Sequence, residues 1–319
     1  MNMVTLWQQC FHWCLGCWTA FCLVFSPSVA QVPQPLPSSS NGVVVASYNV
    51  ENYLMMPRWV DGHYRSNAGK PVAEKEAVTK MLTLIHPDIV GLMEIGDQRQ
   101  FNDLERRLQE AGMTFSDSEY LQGPDKQRHV ALLSRFPIVE RHSEGFIPIQ
   151  LQGKTFYSSR GFLDVTIALP SNLKLRVLCV HLKSKIPVPE YSQFTFRAAE
   201  AAALKSKIET ILTNDPTTPL LVMGDFNDTK NSLSIKTLLG NPGTPAILSA
   251  LELHDAQGER WTEYWKEADE YSRIDYIMVN DALKKRIDTD HSAIERPAFW
   301  NEASDHCPVF TTVNVAPVQ

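Results

Sequence analysis

Charge is missing from the opening of this chain: none of its first fifty residues is Asp, Glu, Lys or Arg. What stands there instead is apolar. Cys10 to Phe25 reads CFHWCLGCWTAFCLVF, a run too short to span a bilayer comfortably. Ser28-Val29-Ala30 then offers the small residues a signal peptidase reads, and residues 31–42, QVPQPLPSSSNG, read as a Pro/Ser-rich linker. The expectation is a signal peptide over residues 1–30, cleaved after Ala30, and a secreted or periplasmic protein with no stable membrane span. A basic n-region is also lacking, which leaves an uncleaved anchor as the alternative.

Cysteine is scarce beyond that leader. Four of the six, Cys10, Cys14, Cys17 and Cys22, lie inside it. Cys179 and Cys307 remain, each within an apolar run and not at a zinc-binding spacing, so two buried thiols are expected. An excess of positive charge is missing too: 30 Lys and Arg against 36 Asp and Glu leave a net charge of −6, which argues against a broad basic face for sequence-independent nucleic-acid binding. A phosphate-bearing substrate would then need local cations or a metal. With 44% hydrophobic and 21% charged residues over 319 positions, a substantial core is within reach and wholesale disorder is excluded.

Between residues 43 and 315 no linker marks a domain boundary, and strand-like and helix-like segments alternate. VVVASYN (43–49), DIVGLME (88–94), HVALLS (129–134), FLDVTIAL (162–169), LKLRVLCVHL (173–182), PLLVMG (219–224), RIDYIMV (273–279) and CPVFTTVNV (307–315) read as strands. VAEKEAVTKMLTLI (72–85), stopped by Pro87, FNDLERRLQEAG (101–112) and FRAAEAAALKSKIETIL (196–212) read as helices. One mixed α/β domain is expected.

Turn chemistry explains a single polar strand end, since Gly, Asp and Asn favour turns. It explains six less well. SYNVEN carries Asn49 and Glu51, GLMEIGD carries Glu94, and LCVHLKSK carries His181; VMGDFND carries Asp225 and Asn227, RIDYIMV carries Asp275, and SDHCPV carries Asp305 and His306. Carboxylates without cysteine suit a hard, oxygen-seeking cation, Mg²⁺ first, with Mn²⁺ or Ca²⁺ as alternatives. Histidines beside carboxylates supply acid, base or charge clamp. The inventory points to metal-assisted hydrolysis of a phosphate ester.

In order and spacing, SYNVEN, LMEIGD, VHLKS, GDFND, RIDYI and SDHCPV resemble the endonuclease/exonuclease/phosphatase superfamily, over about residues 43–315. The resemblance implies a four-layer α/β sandwich, two face-to-face mixed β-sheets flanked by helices, with the site at one end. It implies a metal shell of Asn49, Glu51, Glu94 and Asp305, with Glu94 the principal ligand and Glu51 standing where some relatives carry Asp. Asp225 would orient or deprotonate the attacking water, and Asn227 would hold phosphate or water beside it. His306 would bind phosphate and handle protons, oriented by Asp275. His181 matches the second histidine of the deoxyribonuclease and sphingomyelinase branches and would act as general acid at the leaving oxygen. Arg160, in SSRGF, resembles a deoxyribonuclease-type substrate arginine; Lys183, Lys185 and Arg197 are further cations near it.

The expected function is hydrolysis of phosphodiester bonds by an exported enzyme, with DNA or RNA as the first substrate class. No basic arm or arginine-rich helix is visible. A phospholipid or small-molecule phosphoesterase is the alternative, and a non-catalytic secreted binding protein a remoter one. A sphingomyelinase-like enzyme should carry an exposed aromatic hairpin, and no Trp/Phe pair reads as one. Trp59 and Tyr64, in the loop YLMMPRWVDGHYR (53–65), are candidate stacking surfaces.

Overall fold

A computed structural model describes residues 42–244 and 246–316. The expected leader, its cleavage point and all but the last residue of the linker lie outside them. Numbered along the chain, β1 (Gly42–Tyr53), β4 (Ile89–Ile95), β5 (Asp117–Leu121), β6 (His129–Ser134), β17 (Ile287–Ile294) and β18 (Val309–Asn314) form one sheet, in the order β17-β18-β1-β4-β6-β5. A second sheet runs β13-β16-β12-β11-β10-β7, from β7 (Ile138–Arg141), β10 (Phe162–Ala168), β11 (Lys174–His181), β12 (Leu220–Asp225), β13 (Ser249–Ala250) and β16 (Asp275–Val279). The remaining strands make three hairpins: β2 (Met56–Val60) with β3 (His63–Ala68), β8 (Pro148–Leu151) with β9 (Lys154–Tyr157), and β14 (Glu263–Trp265) with β15 (Glu270–Ser272).

The central strands are apolar on both faces because both faces are covered. Along β1, Val43 and Val45 point into a core shared with the second sheet, while Ala46, Tyr48 and Val50 pack outward against α1 (Val72–Ile85) and α2 (Gln98–Glu110). Along β11, Leu175, Val177 and Cys179 face that same inner core, and Leu178 and Val180 face α3 (Gln193–Asn214) and α4 (Leu233–Leu239). This two-residue alternation yields helix, sheet, sheet, helix, the four layers expected. At Gly91 the sheets approach closely: a Cβ there would lie 2.6 Å from both Cys179 Sγ and Met223 Cε.

Helix ends follow local chemistry. α1 spans the expected residues and closes on His86 in the left-handed region, ahead of Pro87. α2 starts three residues earlier than its apolar spacing suggests. Asp97 accepts from the Arg99 and Gln100 N–H groups while the Gln100 side chain returns to the Asp97 N–H, a complete capping box. Cys179 and Cys307 are buried free thiols, as expected, and burial pushes the Cys179 thiol up to about 12. No helix among the described residues is long and apolar enough to cross a membrane.

Candidate active site

Strand direction gathers the polar strand ends. β11 and β12 are parallel, so His181 lies in register with Asp225; β16 runs antiparallel to β12, and its first residue, Asp275, is the partner of Asp225 on the other side. In the facing sheet β1 and β4 are parallel, with Asn49 beside Met93 and Glu94 next along. β18 runs antiparallel to β1, so Asp305 and His306, just before it, return to the same end.

The backbone is unusual there. Gly224 has φ 144°, and a Cβ would meet the Val180 carbonyl oxygen at 1.9 Å, so only glycine can deliver Asp225 beside His181. Glu51, Asn52, Glu94 and Asn227 adopt φ of 43°, 49°, 63° and 52°. Left-handed non-glycine residues cost about 1 kcal/mol or more each, and four at one end of a sandwich mark a place where geometry outweighs stability.

Asp225 is the hub. Its Oδ1 accepts the Asn227 N–H at 2.8 Å, and its Oδ2 accepts Asn49 Nδ2 at 3.0 Å and Asn227 Nδ2 at 3.2 Å. His181 Nε2 lies 3.4 Å from that same Oδ2, and His306 Nε2 lies 3.9 Å from it. His306 Nδ1 is 2.8 Å from Asp275 Oδ2, and the Asp275 N–H donates to Thr262 Oγ1 at 3.1 Å. All four ionisable groups are buried. Burial, then the charge of Asp275, pushes the Asp225 carboxyl up to about 8 against the pull of His306. Burial pulls His306 down, but the charge and hydrogen bond of Asp275, with Asp305 and Asp225, outweigh it and hold the imidazolium well above the ordinary range. His181 lies well below that range through burial, reinforced by Arg160 and His306. One ring beside Asp225 is therefore charged and the other neutral.

A second group of acids adjoins the first. Glu51 Oε2 accepts the Asp305 N–H at 3.2 Å, Glu94 Oε2 accepts the Asn52 N–H at 2.9 Å, and Glu94 Oε1 lies 3.9 Å from His181 Nε2. Burial and the charge of Asp305, opposed by Lys70 and aided by Glu74 and Glu94, push the Glu51 carboxyl up to about 7; Asp305 is raised as well. Crowded carboxyls such as Glu51 and Asp305, whose hold on a proton is strengthened by burial and by neighbouring carboxylates, fit a hard divalent cation, whose charge would compete with the proton for an all-oxygen donor set. Glu51, Glu94 and Asp305 could hold it. Asn49 joins the two groups: its Oδ1 accepts the Glu51 N–H at 3.0 Å, while its Nδ2 faces Asp225 and, at 3.4 Å, His306 Nε2. Asp225, Asp275 and His306 also offer ligand atoms within 4.8 Å of one another, although Asp275 Oδ2 and Asp225 Oδ2 already carry the contacts above.

A cleft of about 550 Å³ opens against Glu51 and Asp305, bounded by Glu74, Tyr264 and Trp300. A larger cavity of about 810 Å³, lined by Val44, Asp88 and Thr312 among others, sits at the opposite strand ends, away from this chemistry.

Arg160 lies behind the histidine side, with Nη2 3.0 Å from Asp125 Oδ2 and Nη1 donating to the Leu182 carbonyl at 3.3 Å. The other cations named beside it make contacts within the protein. Lys183 donates to the carbonyls of Ser184 and Ile186, Arg197 to Asp228 and the Lys183 carbonyl, and Lys185 lies 3.9 Å from Glu270. Several supporting residues escape sequence reading. Ser304 Oγ donates to the Asn49 carbonyl at 2.8 Å and accepts the His306 N–H at 3.0 Å. Lys70 donates to the Glu51 carbonyl at 2.8 Å. Glu200, buried on α3, accepts the N–H groups of Ser159 and Lys183 at 2.6 and 2.7 Å; its signal is an acid set in the apolar stripe between Phe196 and Leu204. The stretch read as a loop over 53–65 contains most of the β2–β3 hairpin, so an exposed aromatic hairpin exists where none was expected: Trp59 and Tyr64 pair across it, ring centroids 6.0 Å apart.

Two mixed sheets face to face, with Glu51, Glu94, Asp305 and His306 from one and His181, Asp225 and Asp275 from the other meeting at one end, define the α/β-sandwich phosphoesterase class. The chain belongs to the Endonuclease/Exonuclease/phosphatase family, whose sequence profile matches residues 46–306. Members of that family are hydrolases of phosphoester bonds. An endonuclease/exonuclease/phosphatase from Bacteroides vulgatus superposes with TM-score 0.61 at 16% identity, covering 86% of this chain and 99% of that one. The human nocturnin catalytic domain, with bound sulfate anion, gives 0.59 at 17% identity over 85% and 94% of the two chains. Sphingomyelinase C from Streptomyces griseocarneus gives 0.56 at 15% identity over 86% and 99%. At these identities the likeness speaks for the fold alone. A search of curated protein sequences finds no match.

Proposed function

We propose that this protein is an exported, metal-dependent phosphodiesterase that cleaves nucleic-acid strands. The observation that carries the proposal is the pair of histidines whose Nε2 atoms lie 3.9 and 3.4 Å from the same Asp225 oxygen. A cation held by Glu51, Glu94 and Asp305 would polarise a phosphoryl oxygen. Asp225, once ionised, takes the proton of the attacking water. The His306 imidazolium, held by Asp275, lies against the charge that grows on the phosphoryl oxygens. As the water oxygen bonds to phosphorus and the bond to the leaving oxygen breaks, that oxygen takes a proton from His181. The neutral resting state of His181 suits this role only once a phosphate anion lies beside it, because an adjacent negative charge raises an imidazole. Asn49 keeps the acid group and Asp225 in step. The leader-like Cys10–Phe25 run supports export.

Nicking of supercoiled plasmid by the purified protein tests this, with Mg²⁺ or Mn²⁺ and with EDTA, beside His181→Ala and His306→Ala. Metal-dependent nicking that both variants lose by about a hundredfold or more is expected. Folded protein that nicks no plasmid but hydrolyses sphingomyelin would move the substrate to phospholipid; protein inert on bis(4-nitrophenyl) phosphate as well would sink the catalytic reading.

A further inference from the structure

We infer that the β2–β3 hairpin is a base-stacking arm, in which Trp59 and Tyr64 take the unpaired bases of a single-stranded nucleic acid whose backbone lies in the site; the inference rests on the nucleic-acid reading above. The hairpin is attached to the site with almost no slack. β1 carries Asn49 and Glu51, ends at Tyr53, and only Leu54 and Met55 precede β2. Arg58 fixes the root by donating to the carbonyls of Asn52 and Leu54. Trp59 lies three residues from Met56, within about 10 Å of strand.

The rings do nothing evident for folding. Trp59 is 73% and Tyr64 60% exposed, and they face each other across the strands at an interplanar angle of 63°. Their support is rigid: Asp61 and Gly62 have φ of 51° and 74°, the two positive values a tight type I′ turn requires. A preformed aromatic pair loses little freedom on binding. The occupant follows from the polar residues around it. Asp61 sits at the leading tip, where its charge opposes entry into lipid, and exposed Arg65 follows Tyr64 along β3, where a cation complements a phosphate backbone. Aromatic faces accept any base, so a chain of net charge −6 can hold a strand without a broad basic surface.

The test is fluorescence anisotropy of a labelled oligothymidylate with full-length protein in EDTA, beside an equally long oligomer whose residues lack bases. Trp59→Ala/Tyr64→Ala should weaken oligothymidylate binding about tenfold to a hundredfold, and Trp59→Phe/Tyr64→Phe should restore most of it. The wild type should bind the baseless oligomer worse than oligothymidylate. Equal binding of oligothymidylate by the wild type and the double Ala variant overturns the inference, as does a loss confined to binding of anionic phosphatidylglycerol vesicles. Wild-type hydrolysis of bis(4-nitrophenyl) phosphate, run in parallel, reads the active site without bases. Turnover of that ester with no base-dependent binding defeats the arm alone, whereas no turnover defeats the catalytic reading.

Discussion

Cation binding should be linked to proton release at Glu51 and Asp305. The Glu51 carboxyl stands at about 7 instead of 4.5, through burial and then the charge of Asp305. Below that pH it keeps a proton that a cation must displace; above it the carboxylate is ready. Affinity should therefore rise with pH and level off above about pH 7.5. One displaced proton with a pKa near 7 changes the apparent affinity about eightfold between about pH 6 and pH 7.5. Because the Glu51 side chain is 39% exposed, water screens part of the repulsion, and the eightfold change is an upper limit. Free Mn²⁺ measured by electron paramagnetic resonance, without substrate, gives the affinity at each pH. In Glu51→Gln the affinity at about pH 7.5 should fall, and its pH dependence should flatten, since Asp305 then loses a charged neighbour as well. A wild-type affinity constant across this range, or a variant slope equal to the wild type's, would refute the crowding account.

Asp275→Asn removes the charge that keeps His306 protonated, so activity should drop about 10²- to 10⁴-fold. The proposed mechanism uses charged His306, whose pKa is raised, so the variant's alkaline limb should move to lower pH; an unmoved limb assigns that limb to another group. Glu200→Ala leaves the N–H groups of Ser159 and Lys183 without their acceptor and should lower stability by about 1–3 kcal/mol, read by denaturant melts. Gly91→Ala drives a methyl to 2.6 Å from Cys179 Sγ and Met223 Cε and should lower stability by about 1–3 kcal/mol; an unchanged melt would mean the inner core has slack.

What was legible in the sequence was what both faces of a strand record. The central strands are buried on two sides, so their apolar runs stand out, and the polar residues that end those runs are the ones β11, β12, β16, β1 and β4 bring together. α1 was legible because its spacing and Pro87 agree; the start of α2 was not, because the Asp97 capping box extends it beyond its apolar face. Edge and hairpin strands were the least visible. In β2 and β3 only Ala68 is buried and Trp59, Tyr64 and Arg65 are exposed, so no strong hydrophobic period marks them. Ser304, Lys70 and Thr262 act through contacts between distant segments, and nothing local to them announces that.

The two halves of the site belong to different sheets. Glu51 and Glu94 ride on β1 and β4, while His181, Asp225 and Asp275 ride on β11, β12 and β16. Their separation is therefore set by how deeply the sheets interlock, and one close approach, Gly91 against Cys179 and Met223, lies on strands that end in site residues: β4 in Glu94 and Ile95, β11 in His181, β12 in Asp225. The Asn49 bridge to Asp225 spans the same gap at 3.0 Å and has no length to spare. A displacement of about 1 Å in a reacting group can cost about a hundredfold in rate. On the catalytic reading proposed above, the inner core would act as a spacer as well as a source of stability, which accounts for glycine at position 91 in a strand whose neighbours are otherwise large and apolar.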